Sequence, residues 1–509
     1  MTSAPQPGQR LLRSLVRTKP VEQSIADTEE PEHALRRSLS ALDLTVFGVG
    51  VIIGTGIFVL TGTAAKNHAG PAVALSFAAA GVVCALAALC YAELASTVPV
   101  AGSAYTFAFS TIGELPAWII GWDLVLELAL GAAVVAVGWS GYVQSLLESA
   151  GVTLPHAISG ASTGGWSFNL PATLLVAVLT AVILAGMHLS AEVTRVIVGI
   201  KVLVVLIVIV AGLFFVKADN YSPFIPRRRP WRKSGGATPL IEALFGYTPT
   251  DFGVMGIFTA AAVVFFAFIG FDVVATAAEE TRNPQRDVPR GILGSLVICT
   301  ALYMAVALVV TGMEKYTELS DDAPLSDAFK AVGQHAFADM INVGAVAGLT
   351  SVTMILLLGQ SRVFFAMSRD GLLPRTFSTV HPRFGTPTKA IVMLGAVVAV
   401  LAGLIPLEEL SELVNIGTLF AFIVVSIGVV VLRRTRPDLP RAFRCPWVPV
   451  LPVLSVLASL WLMVNLPVAT WWRFLVWMVI GVVVYAFYGR SHSRMGDPGR
   501  ARTGTSGPG

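Results

Sequence analysis

Apolar residues run along this chain in long blocks separated by short polar or turn-forming stretches. A bilayer core of about 30 Å takes roughly 20 apolar residues of helix. On that measure the pattern predicts twelve spans, at about 44–65, 73–98, 115–146, 171–188, 193–217, 253–278, 291–312, 339–366, 389–404, 411–432, 447–466 and 470–488. Two of the blocks are interrupted. The first carries GVGVIIGTGIF (48–58), and the sixth carries FFAFIGFD (265–272), where Gly270 and Asp272 break the apolar run.

Glycine inside a helix costs about 1 kcal/mol against alanine, and a broken helix in lipid leaves amide groups that no water completes. Such a break persists only where it faces protein, a cavity or a ligand. Two interrupted helices five spans apart are what an inverted five-plus-five repeat places at matching positions of its halves. The expectation is therefore an all-α polytopic membrane protein of twelve transmembrane helices with helices 1 and 6 discontinuous. Residues 44–217 form one repeat and 253–432 the other, 218–252 an extracellular loop, and 433–488 two accessory helices. Residues 1–43 form a cytoplasmic tail and 489–509 a disordered one. The competing reading of the glycines is close helix packing of the GxxxG kind.

Composition agrees: of 509 residues, 55% are hydrophobic and only 13% charged, too apolar for a water-facing globule. No short apolar segment with a cleavage site precedes the first span, so no cleaved signal peptide is expected. With the tail inside, about 24 Lys/Arg fall on inner segments against about 10 on outer ones, which puts both termini in the cytoplasm. The basic run RRRPWRK (227–233) falls on the outer side, as a solvated loop or an attractor of anionic lipid or substrate. The net charge of +4 reflects the inner-loop bias, with no nucleic-acid partner implied. Cys84, Cys90, Cys299 and Cys445 form no CxxC pair and read as free buried thiols. The seven histidines lack metal-ligand spacing, and no nucleotide-binding or hydrolase motif is present. Neither an enzyme, a cofactor nor an ATP-driven pump is implied.

The breaks carry the candidate chemistry. A half-helix starting at the first one exposes N–H groups and a positive dipole end, so Ile53, Gly54, Thr55 and Gly56 can hold a carboxylate, with the Thr55 hydroxyl as a further donor. Unwinding in the sixth span frees carbonyls, and those of Phe266, Ala267 and Ile269 can accept from an ammonium group. Together the two breaks would grip an α-amino acid by its two ends. Phe266 and Phe268 can close over it as gating rings, or can simply be core. Asp272 reads as a cap for the next half-helix, or as a direct substrate contact.

Two ionisable residues lie deep in apolar surroundings: Glu127 in WDLVLELALG and Lys201 in VIVGIKVLVVLIVIV. Each costs about 2.5–3.5 kcal/mol at a helix centre even on the lenient insertion scale, so such residues mark pathways. Lys201 can dock its ammonium on carbonyls left by the unwound first span and exchange a proton there, or can serve as a fixed structural cation. Glu127 reads as a protonatable acid near the site or as a neutral hydrogen-bonding one. Asp123 and Glu93 are less telling, Glu93 suiting a cap or loop pairing.

The combination of GVGVIIGTGIFVLTG, YAELASTVPVAGSAYTF, GWDLVLELALG, FFAFIGFDVVATAAEETRNPQRDVPRGI and GQSRVFFAMSRDGLLPRTFSTVHPRFGTPTKAI resembles the cationic amino acid transporter branch of the amino acid-polyamine-organocation superfamily, over residues 35–490. The resemblance implies a ten-helix inverted repeat plus two helices, alternating access, and substrate held between unwound helices 1 and 6. It puts Ile53, Gly54, Thr55 and Gly56 on the carboxylate side and Phe266, Ala267 and Ile269 on the amino side, with Phe266 the gating aromatic. It puts Lys201 at the position tied to proton coupling in bacterial members. Glu127 falls on the glutamate of a WDL-x-LEY motif, here followed by Leu128 where the motif has tyrosine. The expected function is proton-coupled import of cationic or small neutral α-amino acids across the cytoplasmic membrane. An exchanger, a potential-driven uniporter and a non-transporting sensor are the alternatives. Expected partners are the amino acid, protons and membrane lipid, with a small single-span protein or a sterol-like lipid left open.

Overall fold

The computed structural model describes residues 39–98, 103–160, 167–186, 191–230, 238–246, 250–381 and 386–493. The tail to residue 38, the tail from 494, residues 231–233 of the basic run, and positions 99–102 and 382–385 of the quoted motifs lie outside the described residues.

The principal helices are α1 (Ala41–Ile52), α2 (Val73–Thr97), α3 (Glu114–Ser149), α4 (Leu170–Leu184), α5 (Ala191–Gly212), α6 (Gly253–Val264), α7 (Pro284–Met313), α8 (His335–Arg369), α9 (Thr388–Leu404), α10 (Leu407–Thr435), α11 (Val450–Val464) and α12 (Val468–Val484). Among the described residues, eight helical stretches are long and apolar enough to cross a membrane; α1, α4, α9 and α11 are shorter apolar helices. Their starts follow local chemistry. Ser40 and Asp43 form a capping box at α1, and α7 begins at Asn283–Pro284, two turns before its apolar run, because Pro at the first turn gives up an N–H that has no acceptor there. Helix α12 passes through a π turn at Tyr485–Gly489 into Arg490–His492, so the expected disordered tail does not begin at 489. Packing explains the difference: Tyr485 is buried, donates to Glu114 Oε1 (3.0 Å) and packs against Trp118.

Helix α3 packs along α8, α2 along α7 and α4 along α9; α1 lies on α7, α6 on α2, α10 on α3 and α5 on α8. The broken first and sixth segments sit inside this arrangement. Helix α12 is fastened to α3 by indoles: Trp118 Nε1 donates to the Gly481 carbonyl (2.8 Å), and Trp122 stacks on Trp477 at 4.5 Å. Its opposite face, with Leu475, Val479 and Val483, is exposed, as a lipid-facing surface requires.

Polar ties close both ends of the bundle. Where α1 begins, Leu39 exchanges backbone hydrogen bonds with Glu280 (3.0 Å) and Arg282 (2.9 Å), and Arg195 pairs with Asp43 (2.8 Å). At the end of α2 the buried Glu93 carboxylate accepts from Arg433 Nε (2.8 Å) and Nη2 (2.6 Å) and from the Cys445 N–H (2.7 Å), with Arg441 at 3.4 Å. At the opposite end Lys66 pairs with Asp321 (2.9 Å) and His68 with Asp251 (2.8 Å). There, just past α7, burial and the neighbouring Asp327 and Glu318 push the Glu314 carboxyl up to about 7. The four cysteines are free and buried.

The Glu93 knot is the stability test. Removing one partner of a buried pair is worth roughly 3–5 kcal/mol. Arg441 is almost fully buried while Arg433 keeps some water contact, so Glu93→Ala is expected to cost about 3 kcal/mol, read as a lowered thermal unfolding midpoint in detergent. An unchanged midpoint contradicts the assignment.

Candidate functional site

The first break begins where the Ile53 N–H closes α1 onto the Val49 carbonyl (2.9 Å) and Ile53 then turns extended, with ψ 94°. The chain resumes as a helical segment over Gly56–Ala69, its first bonds running from Ile57 and Phe58 N–H to the Gly54 carbonyl (3.3 Å each). Gly54, Thr55 and Gly56 thus open a helix, and opening N–H groups have no intrahelical acceptor. The second break follows a tight turn at Phe265–Phe268: Ile269 is extended (ψ 135°), Gly270 takes φ +112°, and Val273–Thr276 forms the next helical turn.

Glycine is required at both breaks by close approach. A Cβ on Gly56 would collide with the Ala267 backbone, and one on Gly270 would fall 2.6 Å from Val51 Cγ1. Gly270 also occupies a left-handed conformation that an L side chain resists.

The carbonyls freed by the breaks are completed by three side chains from other helices. Lys201 of α5, fully buried, donates from Nζ to the Gly50 carbonyl (2.7 Å) and lies 3.4 Å from that of Ile53. Its stem runs beside Gly348 of α8, where a Cβ would sit 2.8 Å from Lys201 Cγ. Tyr303 of α7 places its hydroxyl 2.6 Å from the Ile52 carbonyl and 2.9 Å from that of Ala267, so one side chain touches both broken segments. Asn415 of α10 donates to the Ala262 carbonyl just before the tight turn (2.9 Å).

Between the breaks lies a cleft lined by Gly54, Thr55, Gly56, Phe266 and Ile269, by Glu127, Leu128, Gly131 and Val135 of α3, and by Val352 and Leu356 of α8. Of the residues expected to bind substrate, Gly54, Thr55, Gly56, Phe266 and Ile269 come together here. Ile53 and Ala267 stand behind the lining. The Ala267 carbonyl accepts from Tyr303, and the Phe266 carbonyl accepts from the Ile269 N–H (3.1 Å). The Thr55 methyl and hydroxyl lie against Gly138 of α3, and the hydroxyl is buried without a partner.

One expectation is corrected. Phe268 is not a gating ring: it is fully buried behind the cleft, against Tyr303 (5.4 Å) and Phe77 (6.4 Å). The tight turn rotates it away from the face that carries Phe266. Asp272 stands with helical φ and ψ at the start of the Val273–Thr276 turn, and the backbone N–H groups of Gly270 and Val273 lie within hydrogen-bonding reach of its carboxylate. Its Oδ1 is buried without a partner, as is Glu127 Oε2 on the cleft wall.

Sequence reasoning missed Tyr303, Asn415 and the aliphatic wall. Asn415, in SELVNIGTLF, had a readable signal, since an amide in an apolar helix seeks a partner. A lone tyrosine in ICTALYMAVALVV had none.

Compared with known proteins, residues 39–485 match the family described as amino acid permease. The chain is 47% identical to the branched-chain amino acid permease BcaP of Bacillus subtilis (strain 168), over 95% of this chain and 99% of that protein. It is 46% identical to the methylthioribose transporter of the same organism, with the same coverage. It is 32% identical to the vacuolar cationic amino acid transporter 4 of Arabidopsis thaliana, over 96% of this chain and 97% of that one.

The Tyr303 hydroxyl bridge carries its own test. Tyr303→Phe keeps the ring but leaves buried carbonyls without their donor, which is worth about 1–3 kcal/mol. A lowered unfolding midpoint in detergent is expected, and wild-type stability contradicts the bridge.

Proposed function

The chain belongs to the amino acid permease family, and from that premise we propose that it is an amino acid:proton symporter that imports α-amino acids across the cytoplasmic membrane by alternating access. The observation that carries this reading is the cleft between two broken helices, with the Lys201 ammonium seated on the main chain of the first. The N–H groups of Gly54, Thr55 and Gly56 receive the substrate carboxylate at the positive end of a helix dipole. The carbonyls of Phe266 and Ile269 receive its ammonium, and Phe266 covers it. The side chain then projects toward Leu128, Gly131, Val135, Val352 and Leu356, an aliphatic wall that suits a small or branched apolar group. Membership in a family whose relatives are permeases and transporters supports reading this chain as a transporter.

The reading includes twelve spans and an inverted repeat. Its support is the packing: α2 with α7, α3 with α8 and α4 with α9 are each a helix against its counterpart five spans on, and the contact of α1 with α7 is mirrored by that of α6 with α2. An exchange of the two halves maps this contact pattern onto itself, as a pseudo-two-fold axis requires. With the Lys/Arg bias of the inner segments, both termini are cytoplasmic.

Coupling follows from energetics. A proton crossing 100 mV releases about 2.3 kcal/mol, enough to accumulate a neutral substrate roughly 50-fold. A cationic amino acid gains that push from its own charge, whereas an aliphatic one needs the proton. Lys201, buried and bonded only to carbonyl oxygens among the contacts described, and Glu127, on the cleft wall with Oε2 unpartnered, are the groups that would gain and lose it.

The defining measurement is uptake into proteoliposomes of a labelled panel of aliphatic and cationic amino acids, with methylthioribose included because one relative is named for it. Accumulation of an amino acid that rises with an inwardly directed proton gradient is expected; flux that ignores the gradient for every substrate rejects the coupling. Lys201→Ala is expected to lose gradient-driven uptake while retaining substrate binding in a thermal-shift assay. Driven uptake equal to wild type refutes its role.

A further inference from the structure

A proton released beside the cleft must leave toward the other side of the membrane, and α3 carries a second carboxylate one turn behind Glu127. Asp123 is fully buried, and both of its carboxylate oxygens lack a hydrogen-bond partner. At i, i+4 spacing the Cβ atoms of Asp123 and Glu127 lie about 5–6 Å apart on one face of the helix. Opposite Asp123 is Gly417 of α10, where a Cβ would fall 2.8 Å from Asp123 Oδ1. That glycine makes room for the carboxyl and offers it no donor.

The titratable groups around it are acidic or phenolic. Tyr91 of α2 lies within electrostatic reach of Asp123, Glu127 and Asp272, and Glu127 within reach of both aspartates. From α8, Gln360 donates to the Val125 carbonyl of α3 (3.3 Å) and keeps its own Oε1 buried without a partner. Among the described residues no ion pair involves Asp123, in contrast to Glu93, whose carboxylate is saturated by two arginines and a backbone N–H. Glu93 shows what a structural buried acid looks like in this protein. Asp123 has the same burial and none of the donors, and burial without donors penalises a bare carboxylate. The arrangement suits a group that holds a proton and passes it on.

We propose that Asp123 is a second proton carrier, taking the co-transported proton from Glu127 toward the end of the bundle where α3 begins. In the step, the O–H bond on the Glu127 carboxyl breaks as one forms on an Asp123 oxygen. Glu127 is left as a carboxylate until the next proton arrives, and no other bond changes. The inference rests on the proton-coupled reading of the cleft.

The test compares two fluxes of the same reconstituted protein: net uptake driven by a pH gradient, and counterflow of labelled against unlabelled substrate at equal pH, which needs no net proton movement. Asp123→Asn, of matching shape, is expected to keep counterflow and its KM close to wild type, while driven accumulation falls from about 50-fold toward unity. Asp123→Glu is expected to restore driven uptake with a displaced pH profile. Three results overturn the proposal: full driven accumulation by Asp123→Asn, parallel loss of both fluxes, or an Asp123→Glu profile identical to wild type. If Asp123→Asn does not yield folded protein, the Asp123→Glu profile alone decides. A wild-type protein that ignores the gradient removes the proton-coupled reading itself; a driven wild type beside an equally driven Asp123→Asn removes only the role of Asp123.

Discussion

A main chain broken inside a membrane must find partners for its polar groups within the protein, and most of the site follows from that constraint. Each unsatisfied group in hydrocarbon costs several kcal/mol. The carbonyls released at the end of α1 are met by Lys201 and Tyr303, and one from the sixth segment by the same tyrosine. The residues that open the segment, Gly54, Thr55 and Gly56, line a cleft instead. Donors from other helices thus meet carbonyls at the breaks, while the opening residues of the resumed helix line the cleft.

This division gives the two halves of the site different mechanical roles. Tyr303 has one hydroxyl proton and two carbonyls within reach, so it joins the first and sixth segments without saturating both. Gly56 against Ala267 and Gly270 against Val51 bring the two main chains as close as packing permits. A movement of one segment is therefore felt by the other. By contrast, ties at the ends of the bundle such as Lys66–Asp321 and Arg195–Asp43 involve exposed side chains. Pairs of that kind contribute about 0–1 kcal/mol and are readily exchanged, which suits the alternating access proposed above.

The buried acids divide along the same line. Glu93 is fully paired at the end of α2 and holds α10 and the following loop in place. Asp123, Glu127 and Asp272 are also buried, yet each keeps at least one oxygen without a partner, and Glu127 lies within electrostatic reach of both aspartates. Burial alone does not distinguish these acids from Glu93; the supply of donors does.

The helices, the two breaks and the depth of Lys201 and Glu127 were legible from the sequence, because apolar block length, an isolated glycine cluster and a lone charge each have a direct cost in lipid that no later contact alters. The backbone choice at 265–272 was not. Whether Phe266 or Phe268 faces the cleft depends on a single tight turn. Tyr303, Asn415 and the donor-free setting of Asp123 belong wholly to the tertiary structure. A hydrogen bond across some 36 to 251 residues is set by how helices are rotated against one another, and the one-dimensional pattern of apolar and polar positions records which face of a helix is buried without recording what it meets.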